Sequence, residues 1–299
     1  MKKNTQLIGL LFCLVAAVVW GFAFVAQTVG AQTVTPFLFN FSRFFIGTIS
    51  VIPLIFIFER RADNKEMKKR TMIAGLIAGT VLFAASHLQQ LGVQYTDSAG
   101  KSGFITGLYM IIVPIIGLMF GRKTGLFTWI GAFLGVGGLF LICMSGGALT
   151  FTNGDWFLIG CAIVYAIHIT VIDRFGQNIY SLRFALTQFA TATAWNFICT
   201  LIFEELSLEP VVGALVPVLY CGIMSVGVAY TCQIMGQKYS EPTSASIVLS
   251  TESMFSAIGA AIILHERMTG AGYIGCVLIF AGILLTQLNP KKKRKSAEQ

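Results

Sequence analysis

Ten long apolar runs, with only two charged residues among all of them, dominate this sequence. Each has about 20 residues, the length that a helix needs to cross a hydrocarbon layer of about 30 Å. The whole chain is 56% hydrophobic and 11% charged, which leaves too few charges for a surface that faces water. We therefore predict an all-α integral membrane protein with ten transmembrane helices, near residues 7–27, 37–58, 71–93, 102–121, 125–144, 156–172, 184–203, 211–237, 242–264 and 268–288.

The charges between the runs predict the orientation of the chain. With the N-terminus in the cytoplasm, nearly all lysines and arginines lie in cytoplasmic segments, and the outer segments hold only Lys101 and Arg267. The first run is long for a signal peptide and lacks a convincing A-x-A site, so we predict a retained span. The expected location is the plasma (inner) membrane, with both termini cytoplasmic. The bilayer is thus a partner that accounts for the net charge of +8, and nucleic acid is not expected as one.

One short polar segment occurs twice, once in each half of the sequence. The stretch "LGVQYTDSAG" at 91–100 returns as "MGQKYSEPTS" at 235–244, an offset of 144 residues. Nearer the N-terminus the offset is 145, which places Gln188 over Arg43. The similarity extends over five spans in each half of the chain, so the sequence predicts that a unit of five spans was duplicated.

A unit of five spans is odd in number, so its second copy must enter the membrane upside down. The sequence therefore predicts two inverted five-helix repeats, a plan common among secondary transporters. The predicted units are a first repeat, a second repeat and a basic cytoplasmic tail, at residues 1–146, 147–290 and 291–299.

Four stretches carry a more specific signal: "VVWGFAFVAQ" (18–27), "FNFSRF" (39–44), "SAGKSGFITGLYMIIVP" (98–114) and "SASIVLSTESMFSAIGAAIILHERMTGAGYIGCVLIFAGILL" (244–285). Together and in this order they resemble the EamA-type branch of the drug/metabolite transporter (DMT) superfamily. The resemblance implies a ten-helix fold with a central substrate cavity between the halves, and export of small metabolites such as amino acids. Ser253 stands where many members have proline, so we expect a straighter ninth helix.

Polar side chains inside the runs are the candidates for a substrate site, because they need a cavity or a partner. Two equivalent helices each carry a face of hydroxyl groups, namely Ser102, Thr106 and Tyr109 on one and Ser246, Ser250 and Ser253 on the other. Such a face either lines a cavity or lets helices pack closely. We select Thr106, Tyr109 and Ser250 as substrate contacts.

Amides and histidines add further candidates: His87, Gln90, His168, Gln188 and Gln233. An amide can hold a zwitterion or an alcohol without a fixed charge, or it can join two helices. A lone histidine in a membrane either meets the substrate or makes a structural hydrogen bond. Both interpretations stay open here.

Arg43 and Glu252 are the two charged residues within the runs. A charge at the centre of a membrane costs about 2.5–3.5 kcal/mol on insertion scales, so each needs a partner or a wet cavity. Arg43 either binds a substrate carboxylate or pairs structurally. Glu252 is either a proton carrier or a cap for nearby backbone groups.

Aromatic side chains are expected to wall the cavity. Trp20 is the strongest candidate because its repeat partner, Tyr165, is also aromatic with a polar edge; Phe24 lies on the same span. Pro114 removes one backbone hydrogen bond from the fourth span and predicts a kink there.

The sequence thus predicts a secondary transporter of small organic metabolites, an exporter of amino acids or related compounds, that works by alternating access. Drugs, nucleotide-linked sugars or lipids are the alternative substrates. A membrane enzyme or a sensor is the alternative from outside this class, and the sequence shows no catalytic or metal-binding spacing that favours it. We expect no cofactor and no metal, and protons are the candidate coupling ion. Monomer and homodimer both stay open.

Overall fold

The computed structural model describes residues 3–60, 64–96, 98–122, 124–144, 152–176, 178–265 and 269–287. The predicted basic tail, 291–299, lies outside these ranges, as do Lys2, Lys123 and Arg267. Within the described ranges every regular element is a helix, which confirms the predicted all-α class.

The helices follow one another at the positions of the ten predicted runs. Their bounds are α1 Lys3–Gly30, α2 Pro36–Phe58, α3 Lys65–Tyr95, α4 Ala99–Gly107, α5 Tyr109–Met119, α6 Leu126–Met144, α7 Asn153–Phe175, α8 Ser181–Phe203, α9 Leu208–Gly213, α10 Leu215–Leu219, a π-helix Tyr220–Tyr230, α11 Thr231–Tyr239, α12 Pro242–Leu249, α13 Glu252–Ile263 and α14 Gly270–Gln287. Three spans are composite: α4 with α5, α10 with the π-helix and α11, and α12 with α13.

Eight of these helical segments are long and apolar enough to cross a membrane. The other two apolar helices, α6 and α14, are shorter and pack mainly against each other. Large apolar side chains cover the outside of the bundle; Phe56, Ile57 and Phe58 at the end of α2 are 66%, 69% and 74% exposed. Such a surface is matched to lipid rather than to water.

Equivalent helices of the two repeats pack against each other in opposite directions. In the pair α6 and α14, Gly138 lies against Gly275 while Gly131 lies against Gly282. The equivalent fourth and ninth spans meet through the first part of one and the second part of the other, α4 and α13. There the Ser256 hydroxyl donates to the Ala99 carbonyl (2.8 Å), and the Ser253 hydroxyl donates to the Gly103 carbonyl.

The pair α2 and α8 follows the same rule. Phe41 stacks near Phe197, with ring centroids 5.1 Å apart, and the Thr48 and Thr193 hydroxyls are 3.3 Å apart. All three pairs are antiparallel, as a repeat that enters the membrane upside down requires. These antiparallel pairs are compatible with the inverted repeats that the odd number of spans predicts.

The carboxylates of Glu59 and Glu204 join α2 and α8, because each residue follows one of these helices and caps the N-terminus of the other. Glu59, just after α2, accepts the backbone N–H groups of Leu182 and Arg183 at 2.9 and 3.0 Å. Glu204, just after α8, accepts the N–H groups of Phe37 and Leu38 at 3.0 and 2.9 Å. A carboxylate at a helix N-terminus satisfies free donors and complements the helix dipole.

Glycines let two further pairs of helices touch at opposite ends of the bundle. Gly9 of α1 lies against Gly236 of α11, and Gly92 of α3 lies against Gly154 of α7. A Cβ atom at any of these four positions would overlap the opposing helix. Because α1 and α3 cross in the same direction, the first contact lies toward one end of the bundle and the second toward the other.

The fourth and ninth spans are both interrupted near their middle. The fourth breaks at Leu108, six residues before Pro114, so the proline does not mark the interruption. The ninth is interrupted at Ser250 and Thr251, whose backbone stays in the right-handed helical region, and the straighter helix expected there stays a prediction. There the Ser250 and Thr251 hydroxyls donate to carbonyls three residues earlier, at 2.8 and 2.7 Å. Such local bonds compete with the helical pattern and can interrupt it without proline.

Candidate functional site

A narrow cavity lies in the middle of the bundle, between the two halves. It holds about 20 Å³ of space for the centre of a water-sized sphere, enough for about one water molecule. Its twelve lining residues come from both repeats: Trp20, Phe24, Gln27, Gln89, Tyr109, Tyr165, Ile169, Ser225, Tyr230, Gln233, Leu249 and Glu252. The two glycine contacts hold helices together toward either end of the bundle.

Three aromatic residues form one wall of this cavity. Trp20 and Tyr230 meet edge to face, with ring centroids 4.7 Å apart. The Tyr165 and Tyr230 hydroxyls are 2.8 Å apart, and the Tyr165 hydroxyl donates to Oε1 of Gln89 at 3.3 Å. Tyr230 must then donate to Tyr165, so the hydroxyl protons are used in a chain that ends at the amide.

The irregular parts of the helices place several lining groups. Tyr109 is the first residue after the break in the fourth span, and Glu252 is the first after the break in the ninth. The indole N–H of Trp20 donates at 3.2 Å to the carbonyl of Ser225, inside the π-helix. Broken membrane helices that meet at mid-depth are a recurrent way to build a substrate site.

Four buried polar atoms that line the cavity make no hydrogen bond of ordinary length and angle among the described residues: Oε1 of Gln27, the hydroxyl of Tyr109, Oε1 of Gln233 and Oε1 of Glu252. The Tyr109 hydroxyl and the Glu252 side chain nevertheless lie near enough to interact with each other. Each of these side chains is at most 4% exposed. Buried polar groups are nearly always paired, so an unpaired cluster in a cavity points to a bound solute or water.

The cavity brings together five of the residues selected from the sequence: Trp20, Phe24, Tyr109, Gln233 and Glu252. Their contact with a substrate stays a prediction. Glu252 lies at the start of α13, where the N-terminal dipole favours a negative charge.

Three other selected residues lie directly behind the aromatic wall. His168 lies edge-on to Tyr230, with ring centroids 6.2 Å apart, and its Nε2 is 3.3 Å from Oε1 of Gln188. Arg43 is 1% exposed and donates through Nε to Asn40 at 2.8 Å. Its guanidinium lies over the ring of Phe44, which contacts Tyr230 of the wall. None of the three is a lining residue, and any direct role in binding stays a prediction.

The remaining four selected residues lie elsewhere. Ser250 donates to Ile247 within its own helix, while Thr106 and Gln90 are fully buried without lining the cavity. His87 is half-buried on the outer part of the bundle and stacks on Phe37, with ring centroids 3.7 Å apart. These contacts favour packing for the hydroxyl at Ser250.

Seven lining residues were not selected from the sequence: Gln27, Gln89, Tyr165, Ile169, Ser225, Tyr230 and Leu249. Two had a usable signal, because Tyr165 is the repeat partner of Trp20 and Gln89 is that of Gln233. Ser225 and Leu249 had none, since they line the cavity through a π-helix and a helix break that the sequence does not announce.

Metal binding has no support in the part of the chain that the structure describes. There, no three His, Cys, Asp or Glu side chains converge, and the described cysteines are free thiols.

The comparisons with known proteins agree with this fold. The chain matches the model of the EamA-like transporter family twice, at residues 7–144 and 152–288. An uncharacterized transporter of Archaeoglobus fulgidus is 27% identical over 91% of this chain and 83% of its own. The uncharacterized transporter YoaV of Bacillus subtilis is 23% identical over 92% and 95%. A protein of known crystal structure covers 95% of this chain and 96% of its own, with 19% identity and a TM-score of 0.75. The chain belongs to the EamA-like transporter family.

Proposed function

We propose that this protein moves small organic metabolites across the plasma membrane by alternating access, and that it works as an exporter. The observation that carries the proposal is a cavity between the two halves that is lined by polar and aromatic side chains from both, with equivalent glycine contacts toward either end of the bundle. Separation of one contact would open the cavity to one side, and separation of the other would open it to the opposite side. Inverted repeats around a fixed site support such rocking.

The lining favours small solutes that carry an amine, amino acids and related compounds among them. It contains one carboxylate and no basic residue, so it offers nothing to neutralise the diphosphate of a nucleotide-linked sugar. It also contains no histidine and no cysteine, which argues against a membrane enzyme at this site. A lipid would need a path to the bilayer that this narrow cavity does not offer.

Glu252 is the candidate for proton coupling, because it is the charged group at the cavity. We propose that both termini face the cytoplasm, on the strength of the loop charges.

The experiment is solute counterflow in vesicles that contain the purified protein, with a panel of amino acids, amines, sugars and carboxylic acids, with and without a pH gradient. Accumulation of a labelled solute against its unlabelled counterpart is the expected result. No counterflow of any solute would contradict the proposal. An unchanged response to the pH gradient in Glu252→Gln would contradict proton coupling alone.

A further inference from the structure

The charge of the cavity restricts what it can bind. Glu252 is the charged lining residue, and Arg43, the other charge in this part of the bundle, lies behind the wall. A solute that brings a negative charge would therefore meet a carboxylate and no cation among the residues that line the cavity. A solute that brings a positive charge would meet its complement.

The unpaired hydrogen-bonding atoms of the lining also favour a positively charged solute. Three of the four, on Gln27, Gln233 and Glu252, are oxygen acceptors, and the fourth is the hydroxyl of Tyr109. The orientation of Gln27 is fixed, because its Nε2 donates to the carbonyl of Ala23 at 3.3 Å and so leaves Oε1 free. These atoms need a ligand that is rich in donors.

The donors of the three aromatic residues in the wall are used within the protein. The indole N–H of Trp20 bonds to Ser225, and the hydroxyls of Tyr230 and Tyr165 donate along the chain that ends at Gln89. What these side chains still present to the cavity is aromatic ring surface. Ring faces of Trp and Tyr attract cations.

We propose that the cavity recognises the protonated amine of its solute, with the ammonium held by Glu252, Gln27 and Gln233 beside the ring of Trp20. A primary ammonium has three N–H donors and no acceptor, which matches three free oxygens. The inference rests on the proposed transport function and adds its selectivity. A carboxylate on the solute is not required for binding.

The test is binding to the purified protein, measured by calorimetry with two matched series of probes. One series is phenethylamine, phenylalanine, 3-phenylpropionate and 2-phenylethanol; the other is butylamine, butyrate and butanol. Within at least one series we expect the amine to bind at least tenfold more tightly than the carboxylate and the alcohol. Equal or tighter binding of the carboxylate or the alcohol, or no binding of either amine, would overturn the proposal.

Variants test the named oxygens. Glu252→Gln keeps the shape and removes the charge, so amine binding should weaken at least tenfold while alcohol binding stays unchanged. Glu241→Gln is the matched control, because it makes the same change at an exposed position beside α12 and outside the cavity. Should Glu252→Gln fail to fold, Gln233→Met removes another acceptor and should weaken amine binding selectively. Unaltered amine binding in a folded variant would count against the proposal.

Counterflow separates this inference from the proposed function. If carboxylates exchange and amines do not, the protein is a transporter and the inference is wrong. If amines bind selectively but no solute exchanges, the recognition is supported and the transport proposal fails.

Discussion

Thr48 and Thr193 are repeat equivalents, 145 residues apart, and their hydroxyl oxygens lie 3.3 Å from each other. A residue that touches its own counterpart must lie close to the axis that exchanges the two halves. The crossing of α2 and α8 therefore marks this axis, and the reciprocal caps of Glu59 and Glu204 lie on either side of it. A single point of self-contact thus gives the symmetry of the whole bundle.

The opposite orientation of the two halves can be tested by labelling cysteines from each side of the membrane. In a protein whose seven native cysteines are replaced, Tyr95→Cys and Glu241→Cys should react with an impermeant thiol reagent from opposite sides of the membrane. Both positions are exposed and lie at the ends of equivalent helices. Labelling of both cysteines from the same side would contradict the fold described here.

The reciprocal caps predict matched losses of stability. Glu204→Gln and Glu59→Gln each remove a charged acceptor from two backbone N–H groups, so each should lower the free energy of unfolding by about 0.5–2 kcal/mol. Thermal unfolding in detergent is the measurement. Glu205→Gln is the control, because Glu205 is exposed next to the cap, and it should leave the midpoint unchanged. A clear difference between the two cap variants would show that the ends of the bundle are not equivalent.

The two glycine contacts predict opposite changes in access. Gly236→Leu should force α1 away from α11 and expose the cavity at that end, whereas Gly92→Leu should separate α3 from α7 and expose it at the other. A reporter cysteine in place of Gln27, in the cysteine-free background, should then label faster from opposite sides. Gly137→Leu adds the same side chain where nothing lies within 4 Å, so its labelling should match the parent protein. Equal labelling from both sides in the two variants would argue against separate gates.

Replacing Trp20 with phenylalanine should weaken the binding of solute, because a phenyl ring has no N–H group to replace that of the indole. Trp20→Phe keeps an aromatic ring but loses the bond to the Ser225 carbonyl, at a cost of about 1 kcal/mol in the free energy of unfolding. Because this bond holds the ring in place at the cavity, solute affinity should fall as well. The measurement is the concentration dependence of counterflow. Trp195→Phe is the control, since Trp195 is 42% exposed and bonds to Thr80 on the outer surface. A similar affinity in the two variants would remove Trp20 from the site.

Apolar length and the repeat offset predicted the elements and the inverted plan, because both are properties of the sequence that packing does not alter. The rotation of each helix about its own axis, which decides which side chains face the cavity, was harder to predict from the sequence. Gln89 lines the cavity and its neighbour Gln90 does not, and periodicity alone cannot choose between adjacent residues.

The ninth span shows why the site was predicted only in part. On a continuous helix Ser250 and Glu252 point in nearly opposite directions, so one face could not be chosen over the other. The break at Ser250 and Thr251 turns Glu252 toward the cavity and leaves Ser250 bonded within its own helix. Breaks made by side-chain hydroxyls have no marker as plain as proline.

The π-helix Tyr220–Tyr230 ends one residue before α11 takes over, and it carries Tyr230 into the cavity with Gln233 one turn further on. A π-helix bonds each N–H to the fifth preceding carbonyl rather than the fourth, so rewinding it to an α-helix changes the angular position of everything that follows. Tyr230 and Gln233 therefore follow one hydrogen-bond register, and the shape and polarity of the cavity at these two positions depend on it.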